Sequence, residues 1–80
     1  MKPLTAQEKR VLELVSRGLS SVEIAQSLGV SAHTVESHRK NLLIKMQARN
    51  SADLVRRAFH FQVLSADSAD LLTPLRYGTL

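Results

Sequence analysis

Hydrophobic residues recur along the first two thirds of the chain at helical spacing, broken by short polar or glycine-containing joints. Val11, Leu12 and Val15 make a stripe that follows Thr5-Ala-Gln-Glu8 and stops at Gly18. Thr5 and Glu8 have the Ser/Thr-x-x-Glu spacing in which hydroxyl and carboxylate satisfy the free amides of a helix start. Gly18 is a natural left-handed stop. Ser20-Ser-Val-Glu23 repeats the box, and Val22, Ala25 and Leu28, with Ile24 beside them, predict a short amphipathic helix closed by Gly29. Ser31 is a candidate N-cap for a third helix running to about Met46. Asn50 or Ser51 opens a fourth, in which Leu54, Val55 and Ala58 lie together. Nothing between Thr5 and Phe61 alternates with the period of a strand. The pattern predicts an all-α, four-helix bundle-like domain over residues 1–64, with Gln62-Val-Leu64 prolonging the last helix. Residues 65–80, turn-rich and then interrupted by Pro74, read as a C-terminal tail to which the pattern assigns no role.

The third helix has two unlike sides. At about 100° per residue, Val35, Leu42 and Met46 gather on one side and His33, Glu36, Ser37 and Lys40 on the other. The first set needs a core. The second is a row of hydrogen-bonding groups, flanked by Thr34, His38, Arg39, Asn41 and Lys45. Only Gly29-Val-Ser31 separates this helix from the one before it, so the pair must cross steeply, as in a helix-turn-helix unit. Val30 is placed to pin that turn by packing inward. A helix buried on one face and carrying such a row on the other suits the major groove of double-stranded DNA.

Charge sharpens this picture. Eleven Lys/Arg against seven Asp/Glu give a net charge of +4 over 80 residues, and the pI is near 10.1. Such an excess suits a polyanionic partner. Arg39, Lys40, Lys45, Arg49, Arg56 and Arg57 fall close together, opposed nearby only by Glu36 and Asp53. The chain has length for one domain. At this size only about 60–65% of the unfolded surface can be buried, so dimerisation would help stability. The absence of cysteine excludes disulfides and thiolate metal sites and suits a reducing cytoplasm. No apolar run approaches a membrane span, and the start Met-Lys-Pro-Leu-Thr lacks a signal-peptide core. His33 and His38 are five apart, off the i, i+4 alignment of helical zinc ligands, and no third ligand is evident. No Ser/His/acid constellation and no glycine-rich phosphate loop is present. Neither an enzyme, nor a cofactor, nor a metal site is expected.

Leu4-Thr5, Glu8, Val11-Leu12, Leu14, Gly18, Glu23-Ile24-Ala25, Leu28, Val30-Ser31, Thr34-Val35, His38, Lys45-Met46, Leu54-Val55 and Ala58 together resemble the LuxR-type (GerE) helix-turn-helix domain, without a gap from Leu4 to Ala58. Thr-Val-Glu-Ser-His-Arg-Lys, followed by Lys-Met-Gln-Ala-Arg-Asn-Ser-Ala-Asp-Leu-Val, is most similar to the effector domains of the FixJ branch of two-component response regulators. The resemblance implies a transcription regulator that binds DNA as a homodimer, its third helix reading the major groove and its fourth supplying the dimer contact. Family members usually carry a receiver or ligand-binding domain N-terminal to this module. The expectation is therefore an effector domain or a small stand-alone regulator, with RNA polymerase and such a receiver domain as further partners.

Carried over by position, Glu36, Ser37 and Lys40 take the base-facing places, and His33 joins them by helical geometry. Lys40 can donate to guanine O6/N7 or to a phosphate, Glu36 can accept from cytosine N4, and Ser37 suits either kind of edge. Glu36 has an alternative partner in Arg39 or Lys40. The phosphate candidates are Ser20, Ser21, Ser31, Thr34, His38, Arg39, Asn41 and Lys45. For Ser20, Ser21 and Ser31 capping is the competing role, for His38 half-buried packing, and for Arg39 an internal ion pair, with Glu8 as one partner. Leu54, Val55 and Ala58 are expected to divide between core and dimer surface, with Arg57 and Phe59 at its rim. The competing function is a protein-interaction module that grips a partner regulator or polymerase through the helix-turn-helix surface or the tail.

Overall fold

Four helices joined by tight turns make up almost all of the described chain. The computed structural model describes residues 3–61 and residue 64, with α1 at Ala6–Ser16, α2 at Ser21–Leu28, α3 at Ala32–Met46 and α4 at Ser51–His60. No strand occurs among the described residues. Both capping boxes close reciprocally. The Thr5 hydroxyl accepts the Glu8 amide at 3.1 Å while the Glu8 carboxylate accepts the Thr5 amide at 2.9 Å. Ser20 and Glu23 repeat this at 3.2 and 2.8 Å. Ser31 and Asn50 cap α3 and α4 by accepting the amides of Thr34 and Asp53.

The first three helices also end alike. The amides of Leu19, Val30 and Ala48 each reach back to the carbonyl five residues earlier, on Leu14, Ala25 and Leu43. That bond needs a left-handed residue just before it. Gly18 and Gly29 supply it with φ +87° and +71°, and at the end of α3 the residue is Gln47, with φ +55°.

The core forms where the helices face one another. Val11, Leu12, Ile24, Val35, Leu42 and Leu54 have essentially no exposed surface. α3 touches all three other helices, and Val35, Leu42 and Met46 fasten it there. Burial of each such side chain contributes about 1.5–3 kcal/mol. Val30 is half-buried against this cluster and pins the turn between α2 and α3. Val22 departs from the expected stripe and is 57% exposed. The buried side of α2 is Ile24, Ala25 and half-buried Leu28, and Val22 stands about 60° beyond its edge. Of the expected extension Gln62–Leu64, only Leu64 lies within the described residues. It is not helical, but it is buried and donates its amide to the Ala58 carbonyl at 3.2 Å. The expected tail, residues 65–80, lies outside the described residues.

Candidate nucleic-acid interface

α3 presents His33, Glu36, Ser37 and Lys40 on one exposed face, while Val35, Leu42 and Met46 on the opposite side are at most 2% exposed. The row spans about 10 Å along the helix axis. Asn41 is exposed on its flank. An open groove separates this row from the start of α2, with Ser20, Ser21 and Val22 along one wall and Glu36, Arg39 and Lys40 along the other. The first amides of a helix carry its positive end and favour an anion, so the α2 terminus and Lys40 turn the same electrostatic sign towards this groove.

Of the hydroxyl candidates, Ser20 and Ser31 are engaged as caps, yet a capping oxygen only accepts. Ser20 receives the Glu23 amide and keeps its own proton to donate. Ser31 receives the Thr34 amide and shares a 3.0 Å hydrogen bond with the Thr34 hydroxyl, which leaves that pair one proton to offer. His38 is half-buried on the side of α3.

Two cations sit differently from expectation. Arg39 donates to the Ser51 hydroxyl at 2.8 Å and ties α3 to the first turn of α4, rather than pairing with Glu8. Glu8 is taken by Lys45, whose ammonium lies 2.7 Å from its carboxylate and 3.4 Å from the Pro3 carbonyl. Lys45 is therefore turned into the fold rather than towards a phosphate. Burial pushes the Glu8 carboxyl up, but the Lys45 hydrogen bond, the Thr5 amide and the Lys45 charge together outweigh it, so the group sits below its ordinary range.

On α4, Leu54 and Ala58 are 1% and 0% exposed. Their surface is used by the core of the same chain, so of the three residues expected to divide between core and partner these two fall on the core side. Val55 is half-buried and Phe59 exposed, one turn apart. Arg57 is half-buried and donates to Asp53 at 3.2 Å. Asp53 itself accepts the Arg49 amide at 2.9 Å and the Arg56 guanidinium at 2.8 Å. The Arg49 amide and then Arg56 hold its carboxyl far below the usual carboxylate range against the opposing effect of burial, and Arg57 adds to them. This junction was invisible to periodicity.

Ile44, absent from the expected site, is 65% exposed. Counting rotation from Lys40 puts it on the outer row, about 40° away. Helical spacing alone carried that signal. Among the described residues no helix is long and apolar enough to cross a membrane, and no three potential metal ligands converge.

The family model for bacterial regulatory proteins of the luxR family matches residues 2–58. Among curated proteins, the chain is 41% identical over 63 residues to the transcriptional regulatory protein MctR of Rhizobium johnstonii, covering 79% of this chain and 29% of that protein. It is 44% identical over 57 residues to the transcriptional regulatory protein UhpA of Escherichia coli, covering 71% and 29% respectively. With the transcriptional regulatory protein FixJ of Azorhizobium caulinodans it shares 42% identity over 66 residues, covering 82% and 31%. The chain thus spans under a third of the length of these relatives. No solved structure matches it.

Proposed function

We propose, from the premise that this chain belongs to the luxR family of bacterial regulatory proteins, that it binds a specific site on double-stranded DNA as a homodimer and thereby regulates transcription in the cytoplasm. The observation that carries this reading is the outer face of α3, where His33, Glu36, Ser37 and Lys40 stand exposed on a helix whose other face is locked in the core. α3 enters the major groove. Lys40 donates to a guanine edge or a phosphate, Glu36 accepts from cytosine N4, and Ser37 and His33 complete the readout. Ser20, Ser21, Ser31, Thr34 and Asn41 hold the backbone and so set register. Half-buried Val55 and exposed Phe59 of α4 bring two copies together over half-sites about one helical turn apart. The names of the relatives, all transcriptional regulatory proteins, support the regulatory role. In a longer regulator, the partners would be an N-terminal receiver domain and RNA polymerase.

The test is a gel shift on DNA selected from a random pool. Lys40→Ala combined with Ser37→Ala abolishes the specific complex while leaving the melting temperature of the protein unchanged. An undiminished shift would overturn the reading in favour of a protein-interaction module. Sedimentation of the complex measures the two-to-one stoichiometry.

A further inference from the structure

Ile44 is the most exposed large apolar side chain among the described residues. Its place on α3 explains why it matters. With Lys40 as zero, rotation puts Glu36 at about −40°, His33 at about +20°, Ser37 at about +60° and Ile44 at about +40°. Ile44 thus falls inside the arc of the four polar residues, one turn beyond Lys40, and about 160° from core-facing Leu42. The core has no use for it. Helix propensity does not favour it either, because a β-branched residue is a poorer helix former than the lysine or glutamate that would also keep the surface polar.

We propose that Ile44 is a specificity-determining residue that packs on the 5-methyl group of a thymine at the edge of the bound site, an inference that rests on the reading of α3 as the groove-entering helix. An isoleucine side chain neither donates nor accepts, so hydrogen-bond readout is closed to it. In the major groove of unmodified DNA the apolar group that distinguishes one base from the others is the thymine methyl. Lys40, one turn nearer the N-terminus, keeps a polar contact beside it, so the two side chains read neighbouring positions by different chemistry.

Replacement of thymine by deoxyuridine removes only the methyl. With the 80-residue chain and its selected site, each thymine in turn is exchanged for deoxyuridine, and affinity is measured for the wild type and Ile44→Ala. One exchange weakens wild-type binding about fourfold, the effect of returning one methyl-sized group to water. Ile44→Ala is weakened to a similar degree on the unmodified site and loses nothing further on that exchange. Alanine favours the helix, so folding is retained, and an unchanged melting temperature verifies it. If every exchange affects both proteins equally, or if Ile44→Ala weakens all sequences alike, the side chain meets sugar, backbone or another copy of the chain and the proposal is overturned. A wild-type chain that selects no sequence overturns this inference together with the DNA reading beneath it. Selection that Lys40→Ala destroys, with uracil exchange indifferent to Ile44, overturns this inference alone.

Discussion

Gln47 holds a left-handed backbone, φ +55°, at the position where α1 and α2 use glycine. A residue with a Cβ carries about 1–2 kcal/mol of strain there, while glycine costs about 0.5–1 kcal/mol through the freedom it adds to the unfolded chain. Gln47→Gly therefore stabilises the domain by about 0.5–1 kcal/mol, seen in thermal unfolding as a rise of about 2–8 °C. The same residue marks a limit of what sequence discloses. Gly18 and Gly29 announce their stops because glycine favours that backbone. Glutamine announces nothing, and the end of α3 was readable only from where its apolar spacing ran out at Met46. Ile44 is the opposite case, since its outward direction followed from rotation alone.

Among the elements, the starts of α1, α2 and α3 were the most legible, because a capping bond spans three residues and leaves a local trace in Thr5/Glu8, Ser20/Glu23 and Ser31. The start of α4 was legible only in part. Asn50 caps it, but Asp53 receives the Arg49 amide and two guanidinium groups from the following turn, an arrangement that no single spacing encodes. The folded Asp53 carboxyl lies well below its unfolded value of 3.8. A depressed folded value means that the stabilisation is fully present above pH 3.8 and is lost as the pH falls below it. Asp53→Asn consequently lowers the melting temperature at pH 7, and the gap between variant and wild type narrows as the pH drops below about 4. A gap that stayed constant with pH would show that the charge of Asp53 does not matter.

The whole molecule sorts its cations into two kinds, and this sorting depends on contacts too distant for any pattern along the chain. Lys45 meets Glu8 across 37 positions, whereas Lys40 stands exposed on the outer row. The sequence makes DNA contacts of both, Lys40 through the resemblance and Lys45 through its place at the rim of the helix, because a position along the chain does not disclose the direction in which a long side chain turns. Lys45→Ala leaves a buried carboxylate short of a partner and destabilises the fold by about 1–3 kcal/mol. Lys40→Ala leaves the melting curve unchanged and, in DNA titrations at several salt concentrations, flattens the plot of log affinity against log salt by about one unit. Equal effects of the two substitutions on melting would refute the distinction. The mounting of α3 carries a last implication. Ser31 clamps one end and Gln47 the other, which holds the helix at 15 residues. Excision of a single residue, such as Asn41, would swing the exposed polar stripe by about 100° against Leu42 and Met46. Exchange of one outward side chain for another leaves the mount untouched, so this scaffold can acquire new addresses by substitution but not by insertion or deletion.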